Sequence, residues 1–150
     1  LMGCSCYAYD IRGELQNLAP NVSFLTIESM ISHCDIISIH VPYTPENKFL
    51  FNKDNLKLMK KTSILINTAR GGLIDESALK HALKNKIIAG AALDVFEAEP
   101  PKDRELLALP NLIATPHIGG STKEAIMAMG MAAIKGLDSA KVPASLAVTL

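Results

Sequence analysis

The sequence has no tryptophan, no net charge and no apolar run of the length that a membrane span requires. Its 15 basic residues balance its 15 acidic residues, so charge gives no reason to expect nucleic acid or an anionic membrane surface as a partner. A span needs about 18 consecutive apolar residues, and no basic segment followed by an apolar stretch opens the chain. We therefore expect a cytoplasmic protein that binds a small molecule, with no nucleic-acid or membrane partner.

Cysteine is also scarce, with 3 residues in a chain of 150. Cys4, Cys6 and Cys34 are odd in number and lack the spacing of a metal-binding motif, which argues against a disulfide framework and against a zinc site. Their sequence neighbours are largely apolar. We therefore expect three buried, reduced thiols and no metal centre.

Short β-rich runs alternate with helical patterns along most of the chain. The strand candidates are CSCYAY, DIISIHV, SILINTA, AGAALDVF and LIATPH. The helical candidates are TIESMISHC, KDNLKLM, ESALKHALKN, RELLAL and TKEAIMAMGMAAIKGL. This alternation predicts an α/β fold, in which crossover helices connect the strands of a doubly wound parallel sheet. Because the strand candidates are continuously apolar, we expect helices on both faces of that sheet.

Several residues punctuate these elements. Asp75 stands where a helix start favours a short polar side chain, and the tail leaves the last helix at Pro143. That helix carries Met127, Met129 and Met131, whose spacing of two distributes them around the cylinder. Packing in the core and contact with another part of the protein are equally open interpretations of these methionines.

Ionisable residues follow the predicted strands. Doubly wound sheets bind ligands outside the carboxyl ends of their strands, which makes such residues candidates for a site. They are Asp10, His40, Arg70, Asp94, Glu99 and His117. Each one alone is compatible with a structural role, such as capping a turn. Together they supply the groups that a hydride-transfer reaction requires.

The chemistry of three of these residues is specific. Arg70 offers a planar, two-pronged donor that suits a carboxylate. His117 can exchange a proton near neutral pH, and Glu99 can orient that imidazole and favour its charged form. The pattern therefore indicates an acid/base pair beside a carboxylate-binding arginine.

Three segments of the sequence resemble one protein family. INTARGGLIDESAL, AGAALDVFEAEP and TPHIGGSTKEA are similar, in this order, to signature segments of the D-isomer-specific 2-hydroxyacid dehydrogenases, which are NAD-dependent oxidoreductases. The likeness runs from about Tyr7 to Ala125. HIGGSTKEA and the PPKD stretch lean toward the D-3-phosphoglycerate dehydrogenase branch, which belongs to serine biosynthesis.

The resemblance implies a role for particular residues. It gives Arg70 the substrate carboxylate, His117 the acid/base step, and Glu99 the partnership with that histidine. Asp94 corresponds to the aspartate that holds the nicotinamide carboxamide. The full set of cofactor contacts that the resemblance implies is Asp10, Val41, Pro42, Thr68, Ala69, Arg70, Asp94, His117, Gly119 and Gly120. We interpret His40 as structural, because the resemblance covers its neighbours and not its ring.

Asp10 bears on the choice of cofactor. Its carboxylate can accept both hydroxyl groups of a ribose, and its negative charge repels a 2′-phosphate, so we expect NAD rather than NADP. Arg12 weakens this preference slightly. Gly71 and Gly72 allow the chain to turn sharply where a Cβ would crowd the site.

The family's full architecture includes further parts that this sequence does not match: an N-terminal substrate domain, a first strand and a glycine-rich loop. We therefore expect a fragment that is inactive alone, from a parent that is a homo-oligomer. Residues 1–120 are predicted to form a partial Rossmann-type domain, and residues 121–150 a helix and tail that return toward the absent substrate domain. The missing strand lies inside the order 3-2-1-4-5-6, so its loss should leave two unpaired edges.

Other functions remain open at this point. Another 2-hydroxyacid dehydrogenase, such as a glyoxylate or hydroxypyruvate reductase, would carry the same motifs. An NAD(H)-sensing binding protein without physiological turnover, similar to the C-terminal-binding corepressors, would also retain the arginine, glutamate and histidine. In a purely structural interpretation these residues only cap strands, and nicotinamide cofactors would have no effect.

Overall fold

The structure, a computed structural model, describes residues 3–13 and 21–140. The strands are β1 (Cys6–Ala8), β2 (Val22–Phe24), β3 (Ile36–Ile39), β4 (Ile64–Asn67), β5 (Gly90–Leu93) and β6 (Leu112–Ala114). The α-helices are α1 (Ile27–His33), α2 (Lys53–Leu58), α3 (Glu76–Lys84), α4 (Arg104–Leu107) and α5 (Lys123–Ser139). Short 3-10 turns at Pro45–Asn47 and Gly71–Leu73 follow β3 and β4.

Each α-helix begins after a short polar residue whose side-chain oxygen accepts a backbone N–H of the first turn. Such a bond satisfies one of the N–H groups that a helix start leaves without a partner. Asp75, the predicted start of α3, accepts the N–H of Ala78 at 3.0 Å. The other four caps are Thr26, Asn52, Asp103 and Thr122. The sequence therefore sets the helix starts through local capping.

All strand pairs of the described residues are parallel, which confirms the predicted α/β class. Four strands form one sheet in the order β3-β4-β5-β6, while β1 and β2 form a separate pair. The predicted interruption between two groups of strands is thus confirmed. In the larger sheet Ile39 pairs with Asn67, Asn67 with Leu93, and Leu93 with Ala114. The carboxyl ends of the four strands therefore lie at one level.

The hydrophobic core lies on one face of the four-stranded sheet. Strand residues on this face, including Ile37, Leu65 and Leu93, are buried together with the inward side chains of α1, α2, α3 and α4. The opposite face carries Ile36 and Ile113, which are 61% and 68% exposed. Within residues 3–13 and 21–116, the helices that pack on the four-stranded sheet lie on one face, so this part of the chain does not test the expectation of helices on both faces. A continuously apolar strand gives no signal about which of its faces is covered.

The cysteines correct a second expectation. All three thiols are free, as predicted, but Cys4 and Cys6 are exposed and Cys34 is only half-buried. Cys6 lies in β1, a strand in which Cys6 and Tyr7 are exposed. Partial burial raises the pKa of the Cys34 thiol. Within residues 3–13 and 21–140, no three side chains of histidine, cysteine, aspartate or glutamate are grouped so that they could hold a metal ion.

Strand β2 was not predicted. Its three residues, Val22–Phe24, pair with β1 in parallel from Cys6 opposite Val22 to Ala8 opposite Phe24. A three-residue segment is too short to show a period of its own. Its extended conformation therefore depends on pairing with a strand that is distant in sequence.

The chain divides into two compact units, residues 1–116 and 117–150. The described part of the second unit is a turn followed by α5, where Met127 and Met129 are 61% and 59% exposed. Neither methionine is buried within the described part of the second unit, and both interpretations of the methionines stay predictions. The tail from Pro143 lies outside the described residues, and the division at residue 120 stays a prediction. None of the described helices has the length and apolar character that crossing a membrane demands.

Candidate functional site

An open cleft of about 870 Å³ lies at the carboxyl ends of β3 and β4. Three loops line it: residues 40–43 after β3, residues 69–72 after β4, and residues 96–97 after β5. Lys48 completes the wall. Of the predicted site residues, Val41, Pro42, Ala69 and Arg70 are brought together here. The cleft is therefore a concave surface at the carboxyl-terminal edge of the sheet.

Asn67 shapes the turn that carries Arg70. This last residue of β4 is 1% exposed, and its side chain accepts the N–H of Ala69 at 3.0 Å and donates to the carbonyl oxygen of Arg70 at 2.9 Å. A buried amide with both functions satisfied fixes the loop that follows it. Asn67 is not among the predicted site residues, although a polar residue that ends the apolar run SILIN is a recognisable signal for such a turn.

Arg70 presents its guanidinium at the cleft. One N–H of the guanidinium donates to the carbonyl oxygen of Ala69 at 2.6 Å. No carboxylate forms an ion pair with Arg70 in the part of the chain that the structure describes. The guanidinium can therefore offer its remaining donors to an anionic ligand, and a carboxylate matches their planar arrangement.

The loop after β3 is held by its own side chains. Asn47 donates to the carbonyl oxygen of Pro42 at 2.7 Å and accepts the N–H of Thr44 at 2.8 Å. Val41 and Pro42 therefore have a defined backbone path along the cleft. The ring of His40 hydrogen-bonds through Nε2 to Oγ of Ser38 at 2.8 Å, which is compatible with the structural interpretation of His40.

Asp94 follows β5 and is 6% exposed. Its carboxylate accepts a hydrogen bond from the hydroxyl of Thr115 at 2.5 Å, and its N–H donates to the carbonyl oxygen of Asn67. Thr115 follows β6, so two adjacent strand ends hold this carboxylate. Asp94 is among the predicted site residues and Thr115 is not, although Thr115 is also a polar residue at the end of an apolar strand.

Glu99 is exposed, and its carboxylate accepts the N–H of Phe96 at 3.1 Å. The same loop is attached to the start of α3 by a reciprocal pair of hydrogen bonds. The Glu76 N–H donates to the Glu97 carboxylate at 3.2 Å, and the Glu97 N–H donates to the Glu76 carboxylate at 2.5 Å. We call this pair the Glu76–Glu97 clamp. It fixes the loop that carries Glu99 against a helix of the core.

Gly71 lies against that same loop. A Cβ at this position would overlap the carbonyl group of Phe96 and the nitrogen of Glu97. A Cβ on Gly72 would instead meet the ring of Tyr43, at 2.7 Å from its nearest atom. The absence of a side chain at Gly71 thus allows the loops after β4 and β5 to touch through their backbones.

His117, Gly119 and Gly120 belong to the second unit, and all three are exposed. His117 adopts a φ of 54°, a left-handed conformation that is uncommon for a residue with a side chain. A Cβ on Gly120 would meet nothing within 4 Å. The predicted partnership of His117 with Glu99 stays a prediction.

Asp10 lies just beyond β1 and is paired with Arg12. The guanidinium donates to both carboxylate oxygens, with Nε and Nη2 each 3.0 Å from the oxygen they contact. The backbone N–H of Arg12 donates to the same carboxylate at 2.9 Å. These hydrogen bonds lower the pKa of Asp10 to about 2. Asp10 is therefore ionised at neutral pH, as a ribose-binding carboxylate must be.

A sequence profile of one family matches residues 1–119, and its description is D-isomer specific 2-hydroxyacid dehydrogenase, NAD binding domain. The chain is 55% identical over 104 residues to the D-3-phosphoglycerate dehydrogenase of Bacillus subtilis (strain 168), covering 69% of this chain and 20% of that protein. It is 46% identical over 132 residues to the glyoxylate reductase of Thermofilum pendens (strain DSM 2475 / Hrk 5), covering 86% of this chain and 39% of that protein.

A solved structure of a dehydrogenase also matches this chain. The D-lactate dehydrogenase of Lactobacillus jensenii, solved with NAD+, aligns with a TM-score of 0.84 and 30% sequence identity. The alignment covers 92% of this chain and 46% of that chain. This chain therefore spans less than half the length of each of these three relatives.

Replacing Gly71 by alanine should destabilise the chain, because the new Cβ overlaps backbone atoms that cannot move aside. Overpacking of this kind costs about 1–3 kcal/mol, or more where backbone must shift. Gly72→Ala should cost less, since the Tyr43 side chain can rotate, and Gly120→Ala meets no neighbour. Urea unfolding of the three variants measures the order. Equal stabilities for Gly71→Ala and Gly120→Ala would contradict the backbone contact.

The partly buried carboxylate of Glu76 predicts a dependence of stability on pH. Burial raises the pKa of Glu76, and the charges of Glu97 and Asp103 add to this effect against the hydrogen bond from the Glu97 N–H. A raised pKa means that the folded state binds the proton more tightly. Ionisation of Glu76 should therefore remove stability as the pH rises from the usual glutamate range, about 4.3, through the raised pKa.

Glu76→Gln keeps an oxygen acceptor and removes the charge, so its stability relative to the unsubstituted chain should increase between about pH 4 and about pH 7. Glu105→Gln provides a control of opposite sign. A hydrogen bond from Lys84 lowers the pKa of Glu105, whose contribution is present at neutral pH and lost on acidification. Urea unfolding at both pH values tests this, and an unchanged difference for Glu76→Gln contradicts a raised pKa of Glu76.

Proposed function

Because this chain belongs to the D-isomer-specific 2-hydroxyacid dehydrogenases, as part of their NAD-binding domain, we propose that it serves an oxidoreductase that acts on the CH–OH group of a D-2-hydroxy acid. The observation that carries the proposal is the position of Arg70. Its guanidinium lines the cleft without a carboxylate partner among the described residues, beside the loop that leads to Glu99. The geometry supports a site for a small carboxylic acid.

The residues present fit a nicotinamide cofactor. Asp10 offers carboxylate oxygens that can accept ribose hydroxyls, and Asp94 offers a buried carboxylate that can accept the N–H of a carboxamide. Gly71 and Gly72 belong to the cleft wall and place no side chain there. When bound, the nicotinamide ring supplies or accepts the hydride. Thr68, Ala69, Val41 and Pro42 are the proposed backbone contacts of the cofactor, with Gly119 and Gly120 near its ring.

Arg70 is the proposed substrate anchor. A guanidinium can hold a carboxylate and the adjacent keto or hydroxyl oxygen through two parallel N–H groups, which fixes both position and orientation. The Asn67 side chain holds the turn on either side of this residue, at Ala69 and at the Arg70 carbonyl. A loop fixed in this way limits the motion of the arginine backbone during the reaction.

His117 is the proposed acid/base group, with Glu99 as its partner. In the reduction direction the protonated imidazole donates to the forming hydroxyl, and in the oxidation direction the neutral imidazole accepts that proton. A carboxylate beside the ring favours its charged form. The Glu76–Glu97 clamp and the Phe96 N–H support this step by fixing the loop that carries the carboxylate.

D-3-phosphoglycerate, with its keto partner phosphohydroxypyruvate, is the proposed substrate pair, which gives the protein a place in serine biosynthesis. The similarity to the Bacillus subtilis dehydrogenase and the segment HIGGSTKEA support it. Glyoxylate, hydroxypyruvate and lactate are the alternatives, since the Thermofilum pendens reductase matches more of the chain. We also expect a cytoplasmic homo-oligomer.

The test uses a completed protein, meaning this chain within its full-length gene product or grafted onto the remainder of the Bacillus subtilis relative. NADH oxidation with each oxo acid of the panel identifies the substrate by its catalytic efficiency. Binding of NADH without turnover of any member would favour an NAD(H)-sensing protein. Absence of both binding and turnover would support the purely structural interpretation.

Arg70→Lys in the completed protein should lose most activity toward 2-oxo acids while its affinity for NADH changes little. An ammonium cannot reproduce the two parallel donors of the guanidinium. Loss of one such charge-assisted pair corresponds to about 10- to 100-fold in catalytic efficiency. Steady-state kinetics and NADH titration measure the two effects separately. Unchanged catalytic efficiency would show that another residue anchors the substrate.

Glu99→Gln in the completed protein should displace the pH profile, because it removes the charge at nearly constant shape. The imidazole of His117 should then lose its proton at lower pH, so reduction should fail earlier as the pH rises. Oxidation, which needs the neutral imidazole, should extend to lower pH. His117→Gln should cost far more, since general acid/base catalysis contributes about 10²–10⁴-fold.

The pH profiles of catalytic efficiency in both directions distinguish the two roles of Glu99. If both limbs stay in place while activity falls, Glu99 is structural and acts through its hydrogen bond to the Phe96 N–H. If activity and profile are both unchanged, the carboxylate has no part in the reaction.

A further inference from the structure

Asp10 and Arg12 form a forked ion pair at the end of β1. The guanidinium contacts both oxygens of one carboxylate at 3.0 Å, and Arg12 also donates its backbone N–H to Oδ1. The side chain of Arg12 is 72% exposed and that of Asp10 is 27% exposed. The proposed ribose-binding carboxylate is therefore already occupied by a cation from the next turn.

This pairing reduces the number of free acceptor positions on Asp10. A carboxylate has about four lone-pair positions. Arg12 uses two on Oδ1, through its backbone N–H and Nε, and one on Oδ2, through Nη2. A ribose with two adjacent hydroxyls needs two acceptors. Asp10 can therefore serve both hydroxyls only if the guanidinium moves away, and it can serve one while the pair stays intact.

The pairing also changes the charge that a cofactor meets. An isolated aspartate repels a 2′-phosphate, whereas the pair of Asp10 and Arg12 carries no net charge. A ribose oxygen that donates a hydrogen bond to Asp10 lies within about 6 Å of the guanidinium, because this distance is the sum of two hydrogen-bond lengths. The planar fork of an arginine matches phosphate as well as carboxylate.

We propose that Arg12 is a specificity-determining residue that lets the ribose end of this dinucleotide site accept the 2′-phosphate of NADPH in addition to the ribose hydroxyls of NADH. With NADH, Asp10 accepts a ribose hydroxyl. With NADPH, the guanidinium turns from the carboxylate to the phosphate. This inference rests on the proposed function, because it requires that Asp10 is the ribose-binding residue, and it adds NADPH to the NAD that a domain of this family binds.

The exposure of the pair supports this exchange. A solvent-exposed ion pair contributes little to stability, since water and salt screen it and two long side chains must be ordered. The guanidinium can therefore leave Asp10 at small cost. No other cation pairs with Asp10 within residues 3–13 and 21–140. The proposed effect therefore depends on one side chain.

The test measures dissociation constants of NADH and NADPH for the completed protein by titration of cofactor fluorescence, without substrate. Arg12→Ala removes the guanidinium and keeps the backbone N–H that bonds to Asp10. It should weaken NADPH binding by about fivefold to tenfold, the size of one exposed charge-assisted hydrogen bond, while NADH binding stays the same or tightens. Asp10→Asn frees Arg12 from its partner and should shift the ratio of affinities toward NADPH.

Arg104→Ala is the matched control, because it removes a guanidinium from the start of α4. It should leave the ratio of NADH to NADPH affinities unchanged. The NADPH affinity of the unsubstituted protein should also fall more steeply with added salt than that of Arg12→Ala, since one phosphate contact is lost. An Arg12→Ala ratio within about twofold of the unsubstituted protein overturns the inference.

Failure of the proposed function gives a different result. If the unsubstituted protein binds neither cofactor, the assignment of Asp10 to a dinucleotide site is wrong, and the inference falls with it. If the protein binds NADH tightly and NADPH at least about a hundredfold more weakly, the proposed function stands and Arg12 does not accept the phosphate.

Discussion

The contact between Gly71 and Phe96 is the constraint on which the cleft depends. Because Gly71 has no Cβ, the loop after β4 can lie directly against the backbone of the loop after β5. One loop carries Arg70 and the other leads to Glu99, so two groups of opposite charge come from adjacent strand ends. The side chain of Asn67, at the end of β4, fixes the first loop through two hydrogen bonds. The Glu76–Glu97 clamp attaches the second loop to the start of α3. A side chain at Gly71 would push the loop after β4 away from the loop after β5.

The sequence predicts the larger features because they depend on local patterns. Apolar runs and helical spacing locate five of the strands and the α-helices. Asp75 marks the start of α3, because its side chain accepts a hydrogen bond from the N–H of Ala78. Polar residues that end strands predict the edge where the cleft lies, since parallel strands in register bring Asn67, Leu93 and Ala114 to one level. Signature segments identify the family independently of these patterns.

Other features depend on partners far away in the chain, and a single sequence does not reveal them. Strand β2 is extended because β1 pairs with it, and the exposure of Cys6 does not follow from its apolar sequence neighbours. Thr115 acquires its role from Asp94, which is 21 residues earlier, and Glu97 from Glu76 at the same separation. The ion pair of Asp10 with Arg12 is local, but whether two nearby charges meet depends on side-chain rotamers that composition does not determine.

One face of the four-stranded sheet is exposed among the described residues of the first unit, and this affects how the separate chain behaves in solution. Ile36, Ile64 and Ile113 lie on that face, and β3 has no strand partner on its outer side among the described residues. Apolar surface and an open strand edge are the features through which chains associate with one another. Folding is first order in chain concentration, whereas association is at least second order. Dilution therefore favours the folded monomer, and concentrated samples of the chain alone favour self-association through this face.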